Sequence, residues 1–193
     1  ARYWADDVIA RGVEFSTSNA FSASNKADLA RAYMYGAVIY IVIADMFDDF
    51  VVGSAKTEAA PPVGASNMGS LYDTALGYIN SALALNAGLT GELTALKARA
   101  TFAKGIWGKV NPVNTASPLV SSAEAATLAA AALADLGTDF SVNLITDPSA
   151  PETIGALDVA GEVNDRLEMR LSNTYVISTD LKRPDSPNDG DPT

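Results

Sequence analysis

The sequence predicts a mainly α protein built from antiparallel helical hairpins, followed by a less regular C-terminal part that contains short strands. Apolar residues recur every three or four positions through most of residues 1–137, which is the period of one helical face. Alanine, the best helix former, is unusually frequent. The helical period is lost over residues 138–193. We therefore expect a helical scaffold over 1–137 and an irregular segment over 138–193.

The first fifty residues predict two helices. Residues 1–15 place apolar and small residues on one face, namely Trp4, Val8, Gly12 and Phe15. Asn25 followed by Asp28 fits the N-cap of a second helix that extends to about Phe50. Its predicted inner face comprises Leu29, Tyr33, Gly36, Ile39 or Tyr40, Ile43 and Phe47. The β-branched stretch at 38–43 would also suit a strand, but the helical period on both sides favours a helix.

Residues 68–86 and 92–108 predict a helical hairpin, with Gly88 stopping the first helix and Pro112 closing the second. The first inner face comprises Leu71, Tyr72, Ala75, Tyr78 or Ile79, Ala82 and Leu85, and the second comprises Leu93, Leu96, Ala100, Ala103 and Trp107. A short connection makes the two helices antiparallel neighbours. The tetratricopeptide consensus is followed in order, with stretched spacing, by Leu76, Gly77, Ala98, Phe102 and Pro112.

The last predicted helix begins at a capping box of Ser121 and Glu124 and ends before Gly137. Beyond it, residues 140–145 and 174–178 alternate between apolar and polar side chains, which predicts short strands. The chain is thus expected to change from helical to mixed structure after its fifth helix.

The residue types that are missing exclude many functions. The chain has no histidine and no cysteine, so it cannot hold a Ser-His-Asp relay, a thiolate nucleophile or a zinc-thiolate site. Its 13 Lys and Arg against 23 Asp and Glu give a net charge of −10 at pH 7, which argues against nucleic acid as a partner. Catalysis would have to come from Asp, Glu, Lys, Tyr or Ser alone, and no local motif marks a catalytic carboxylate pair. We predict a protein that is not an enzyme.

Membrane and targeting signals are also sparse. The longest apolar run, residues 36–44, is far shorter than the roughly 20 residues that span a bilayer, so no transmembrane segment is predicted. The chain does not begin with methionine and starts inside a helical pattern. We expect a mature or cut product whose true N-terminus, with any lipidation site, lies outside it.

The most metal-like stretch lies in the C-terminal tail, where Asp185, Asp189 and Asp191 supply carboxylates and Gly190 a sharp turn. Calcium prefers such oxygen ligands, and the spacing matches part of an EF-hand loop. Pro187 occupies the third ligand position, and the chain ends before a twelfth-position glutamate. Calcium is therefore the one cofactor considered, and an acidic turn segment is the interpretation that the sequence favours.

Two further groups of polar residues are candidates for partner contacts. Asp45, Asp48 and Asp49 cluster at the end of the second helix, where the helix dipole disfavours anions. They would contact a cation or a partner, but a solvated helix end is favoured. Positive charge on the helices is supplied by Arg31, Lys97, Arg99 and Lys104. For these the favoured interpretation is exposed helix residues, with salt bridges and partner contacts as alternatives.

Aromatic side chains are candidates for stacking on sugar rings. Trp4 and Trp107 lie in phase with the apolar positions of their helices, which predicts that both belong to the core. Tyr35 lies off the apolar face of its helix and is the better candidate for exposure. No ligand-binding residue is assigned from the sequence.

Four segments together resemble the SusD/RagB family of nutrient-uptake lipoproteins. They are ARYWADD at 1–7, DLARAYMYGA at 28–37 with the apolar run to DMFDD at 45–49, LYDTALGYINSAL at 71–83 and LKARATFAK at 96–104. The resemblance implies a tetratricopeptide-like scaffold, an oligosaccharide ligand, a TonB-dependent outer-membrane transporter as partner, and a location at the bacterial outer membrane, cell surface or exterior. Members of the family are usually more than twice as long and begin with a lipidated cysteine, which this chain lacks.

The alternative function is structural. Small-residue helical hairpins with apolar faces can stack between copies, so the chain would be a self-assembling filament or scaffold subunit. The two functions differ in whether the isolated chain is a discrete particle or a polymer.

Overall fold

The computed structural model describes residues 1–18, 20–53, 60–112 and 120–137. In these residues the protein is mainly α, with five α-helices that pack in antiparallel neighbouring pairs. The helices are α1 (Arg2–Ser16), α2 (Ala23–Met46), α3 (Ser70–Ala84), α4 (Thr90–Val110) and α5 (Ala123–Leu136). Each helix packs on the next one along the chain, and α2 also touches α4. The predicted mainly α class is therefore confirmed.

Alanines form much of the surface where the central helices meet. Ala30, Ala37, Ala75 and Ala100 are completely buried, and their methyl groups allow the helix axes to approach closely. The largest fully buried side chains are Ile41, Met68, Ile79 and Leu93. The high alanine content thus serves close packing as well as helix propensity.

The second helix begins one turn earlier than predicted. Ser22 is its N-cap, because the Ser22 hydroxyl accepts from the Asn25 N–H at 3.2 Å while the Asn25 side-chain oxygen accepts from the Ser22 N–H at 2.9 Å. Asn25 is therefore the third helical residue of a capping box and not the cap itself. The helix ends at Met46, short of Phe50, and Phe47 is exposed although it was predicted to face inward. The β-branched stretch in its middle is helical, so the strand alternative is wrong.

The predicted hairpin of α3 and α4 is confirmed, with each end within two residues of its predicted position. A 3-10 helix, Ala65–Asn67, precedes α3. The cap of α5 is displaced by one residue, since the Ser122 hydroxyl, and not that of Ser121, accepts from the Ala125 N–H at 3.2 Å. Gly137, with φ of 83°, ends α5 as predicted.

The prediction for the inner face of α1 is wrong. Ile9 is its buried residue, whereas Trp4 is 55% and Val8 53% exposed, and Phe15 is exposed as well. Among the described helices α1 packs mainly on α2, and Tyr78 of α3 reaches Asp6 from the same side, so the described helices cover only one side of α1. That side also carries Asp6, whose carboxylate accepts hydrogen bonds from tyrosines on two other helices. The in-phase position of Trp4 therefore does not place it in the core.

Two segments of the prediction lie beyond these helices. The predicted strands at 140–145 and 174–178 lie outside the described residues. Within the described part, β pairing is limited to one antiparallel bridge between Val51 and Pro62. In the described part of the chain, α2 is the one helix whose length and apolar composition would allow it to cross a membrane. The core helix of a soluble protein meets the same two criteria, and 44% of the most apolar stretch of α2 is buried inside the protein.

Candidate functional site

Asp45 joins three helices near the C-terminal end of α2. The Tyr72 hydroxyl on α3 donates to Asp45 Oδ1 at 2.7 Å, and the Arg99 guanidinium on α4 donates to Oδ2. Burial raises the pKa of Tyr72 well above its ordinary value, and the hydrogen bond to Asp45 raises it further. Tyr72 therefore remains a hydroxyl donor, and the three side chains fix α2, α3 and α4 relative to one another.

An open groove of about 570 Å³ lies beside Asp45, between the C-terminal ends of α2 and α4. We call it the α2–α4 groove. Its lining comprises Ala44, Asp45, Met46, Phe47, Asp48, Ala65, Tyr72, Ala103, Ile106, Trp107, Val110 and Asn111. The volume lies in the range of pockets that hold small organic ligands.

Much of the groove wall consists of accessible apolar side chains. Met46 is 70% exposed, and Phe47, Ile106 and Val110 are exposed as well. Large apolar side chains that gather around one cleft are typical of binding surfaces, because leaving them in water is unfavourable. The groove thus offers contact area that the core does not use.

Trp107 forms the fixed part of one wall. It packs partly buried against the core, as predicted. A Cβ atom added to Gly69 would lie 2.5 Å from Trp107 Cε3, so only glycine lets the backbone before α3 approach the indole this closely. Because its ring is held from that side, Trp107 presents a preformed aromatic surface to the groove.

The polar groups of the groove are mainly acceptors. It lies where α2 and α4 both end, and helix C-termini carry unsatisfied carbonyls and partial negative charge. Asp48 is exposed at its edge, and within the described part of the chain no salt bridge reaches Asp48. The lining residues include no lysine or arginine. The groove is therefore electronegative at its polar edge.

The three acids at the end of α2 have different roles. Asp49 Oδ1 accepts from the backbone N–H groups of Phe50 at 2.8 Å and Gly64 at 2.7 Å, which ties the following loop to the helix end. All three acids are exposed, as a solvated helix end implies, but Asp45 also bonds α3 and α4, so Asp48 is the one of the three with no such structural bond among the described residues. Among the described residues, no group of three acids is placed to hold a metal ion.

Three of the four predicted basic residues form ion pairs within the chain. The pairs are Arg31 with Asp28, Arg99 with Asp45, and Lys104 with Asp73. Salt bridges thus account for these three, and Lys97 is half-buried on α4. Exposed pairs of this kind contribute about 0–1 kcal/mol each to the free energy of unfolding.

The remaining candidates are resolved only in part. Tyr35 is 60% exposed, as predicted, but it lies outside the α2–α4 groove. Asp185, Asp189 and Asp191 lie outside the described residues, so the calcium site stays a prediction. A second cleft of about 170 Å³ lies between α1 and α2, and its lining is mostly apolar.

Sequence reasoning missed a second carboxylate centre, at Asp6. The Tyr40 hydroxyl donates to Asp6 Oδ2 at 2.9 Å, the Tyr78 hydroxyl donates to Oδ1 at 2.7 Å, and Arg2 forms a salt bridge to the same group. Burial raises the pKa of both tyrosines, and the bond to Asp6 raises that of Tyr78 further. A carboxylate on one helix and tyrosines on two others carry no local motif, so only the packing identifies the centre.

No protein-family model matches the chain, and no curated protein or solved structure matches it significantly. The functional interpretation therefore depends on the geometry of the groove and on the resemblance of the sequence segments.

Proposed function

We propose that this chain is a non-catalytic oligosaccharide-binding and transporter-docking protein of the bacterial outer membrane, of the kind that its SusD/RagB-like segments imply. In this proposal α2, α3 and α4 form a tetratricopeptide-like frame. The observation that carries it is the α2–α4 groove, in which a held indole, apolar walls and a polar acceptor edge lie together.

The chemistry of the groove suits a sugar chain. A pyranose ring has an apolar face of C–H groups, which packs on an aromatic ring such as that of Trp107, and a rim of hydroxyls. Those hydroxyls donate to acceptors such as the Asp48 carboxylate and the Asn111 side chain, both of which line the groove. Because the groove is open, an oligomer can extend beyond it. The rigid helices hold these groups in place before the ligand arrives.

Tryptophan fluorescence tests the ligand. The chain has two tryptophans, and Trp4→Phe leaves Trp107 as the sole reporter. Titration with a neutral oligosaccharide such as cellotetraose is expected to change Trp107 emission saturably. Ala65→Phe, which fills the groove from an exposed position, is expected to abolish the change, whereas Ala84→Phe, exposed on α3 away from the groove, leaves it intact. No change with any neutral, amino or acidic oligosaccharide, in a folded protein, contradicts the proposal.

The transporter partner is tested separately. A gene for a TonB-dependent barrel next to the gene for this chain, and co-purification of the two proteins from outer membranes, are the expected results. Groove filling by Ala65→Phe is not expected to disturb that complex, because docking uses the outer helix surfaces. Absence of such a gene neighbour, together with no complex, would leave only the binding role.

A second function, self-assembly, is favoured by exposed apolar residues on the first and last helices that the structure describes. Val8 and Phe15 on α1 and Leu133 on α5 are exposed, and apolar helix faces of this kind can stack between copies. Size-exclusion chromatography with electron microscopy separates the two functions. Discrete monomers contradict self-assembly, and ordered polymers contradict the docking protein.

A further inference from the structure

We infer that the α2–α4 groove selects oligosaccharides that carry positive charge, with sugars bearing a free, protonated amino group as the ligand class. This inference depends on the proposed function, because it names the type of sugar that the same groove would hold. It follows from the distribution of charge around the cleft.

The charged side chains that line the groove are both negative. Asp45 and Asp48 are the two charged residues that line the groove. Arg99 already compensates Asp45 from the α4 side, so the Asp48 carboxylate is the group left to attract a cation. An ammonium group beside it would form a charge-assisted hydrogen bond, which is stronger than a bond from a neutral hydroxyl.

The directions of α2 and α4 add to the negative potential of the groove. α2 and α4 both direct their C-terminal ends at the groove, as shown by the lining residues Met46 and Val110. The partial negative charges of the two helix ends therefore add to that of Asp48, and all three favour cations. The cation at the end of α4, Lys109, is not among the lining residues.

Aromatic side chains in the groove wall also favour a cation. Trp107 and Phe47 line the same cleft, and the face of an aromatic ring attracts ammonium groups through its quadrupole. The net charge of −10 draws cationic oligomers toward the protein from a distance. An anionic sugar meets the opposite potential at every one of these groups.

Isothermal titration calorimetry with matched β-1,4-linked tetramers tests the inference. The glucosamine tetramer with protonated amines, the neutral N-acetylglucosamine tetramer and cellotetraose share one backbone and differ in charge. We expect the glucosamine tetramer to bind about three- to tenfold more tightly than either neutral tetramer. The preference is expected to shrink as sodium chloride is added, because the charges are partly exposed.

The decisive control separates the groove from the overall charge. Asp48→Asn is expected to reduce the preference for the glucosamine tetramer to less than about twofold, because it weakens binding of the charged tetramer more than binding of cellotetraose, whose hydroxyls can still donate to the amide oxygen. Asp28→Asn removes the same charge from an exposed site at the other end of α2 and is expected to keep the preference. If both variants lose it equally, the preference reflects net charge and the inference is overturned.

The remaining outcomes distinguish the two proposals. Equal binding of all three tetramers overturns the inference and leaves the proposed function standing. If none of the tetramers binds the folded chain, the proposed function fails together with the inference.

Discussion

At the scale of single residues, two carboxylates organise the helices through tyrosine hydroxyls. Asp6 on α1 accepts from Tyr40 and Tyr78, and Asp45 on α2 accepts from Tyr72. Each acid thus bonds helices that lie beside its own, and each tyrosine places a largely buried ring in the core with its polar end satisfied. These bonds fix the register of α1 to α4.

The raised pKa values of these tyrosines predict that the protein loses stability at alkaline pH. Unfolded tyrosine ionises near pH 10, but the folded pKa values of Tyr40, Tyr72 and Tyr78 are higher. Their contribution is complete below pH 10 and is lost as the pH rises toward the folded values, because the unfolded state then binds fewer protons. The slope is about 1.4 kcal/mol per pH unit for each tyrosine. Urea unfolding followed by circular dichroism at increasing pH measures it.

A pair of tyrosine variants tests whether Tyr78 contributes to this loss of stability at alkaline pH. Tyr78→Phe keeps the ring and removes one ionisable group, so the alkaline slope is expected to fall by one tyrosine's share. Tyr35→Phe, which removes an exposed hydroxyl outside the Asp6 centre, is the matched control. Equal slopes for the wild-type protein and both variants would contradict a role for the Asp6 centre.

At the scale of the helices, glycines mark where elements come closest. A Cβ atom on Gly36 of α2 would lie 2.9 Å from both Ile9 Cδ1 and Tyr78 Cδ2, so α1, α2 and α3 meet at that point. Gly77 lies in the middle of α3 with nothing within 4 Å of an added Cβ atom. The same substitution should therefore have opposite effects at the two positions.

We expect Gly36→Ala to lower the free energy of unfolding by about 1–3 kcal/mol, because the added methyl group would overpack the contact with Ile9 and Tyr78. Gly77→Ala is expected to raise it by about 0.5–1 kcal/mol through better helix propensity. Urea denaturation of the two variants measures both changes. Stabilisation by Gly36→Ala would show that α1 does not lie against α2 as described.

The start of α5 offers a test at the resolution of one residue. Ser122→Ala removes the hydroxyl that accepts from the Ala125 N–H and is expected to cost about 0.5–2 kcal/mol of helix stability. Ser121→Ala removes an exposed hydroxyl one position earlier and is expected to cost almost nothing. Amide hydrogen exchange in the first turn of α5 measures the loss of helix stability in each variant. A larger loss for Ser121→Ala than for Ser122→Ala would show that Ser121 is the N-cap, as the sequence predicts.

The elements were predictable to different degrees, for physical reasons. The inner face of α3 follows from periodicity because that helix is covered by α2 on one side and α4 on the other. Periodicity failed for α1, where an exposed face carries Val8 and Phe15 and the covered face carries the polar Asp6. The predicted N-cap of α2 lies one turn from the observed cap, Ser22, and that of α5 lies one residue from the observed cap, Ser122. Both predictions failed because neighbouring polar residues are also suitable caps.

At the scale of the whole molecule, the candidate site is a product of tertiary structure. Its walls come from the ends of α2 and α4, and Ala65 comes from the connection between α2 and α3. No sequence window contains these residues together, so the cluster at Asp45 and Asp48 was visible while the groove beside it was not. The helix order was predictable from local signals, but the meeting of two helix C-termini depends on how the pairs pack.

The central claim is that the α2–α4 groove binds the ligand, and amide chemical-shift mapping by nuclear magnetic resonance tests it most directly. Saturation of the isotope-labelled chain with a glucosamine tetramer is expected to shift the amides of residues 44–48 and 103–111, while those of α1 and the first turns of α2 stay in place. Shifts confined to the cleft between α1 and α2, or the absence of shifts in a folded protein, would contradict the account.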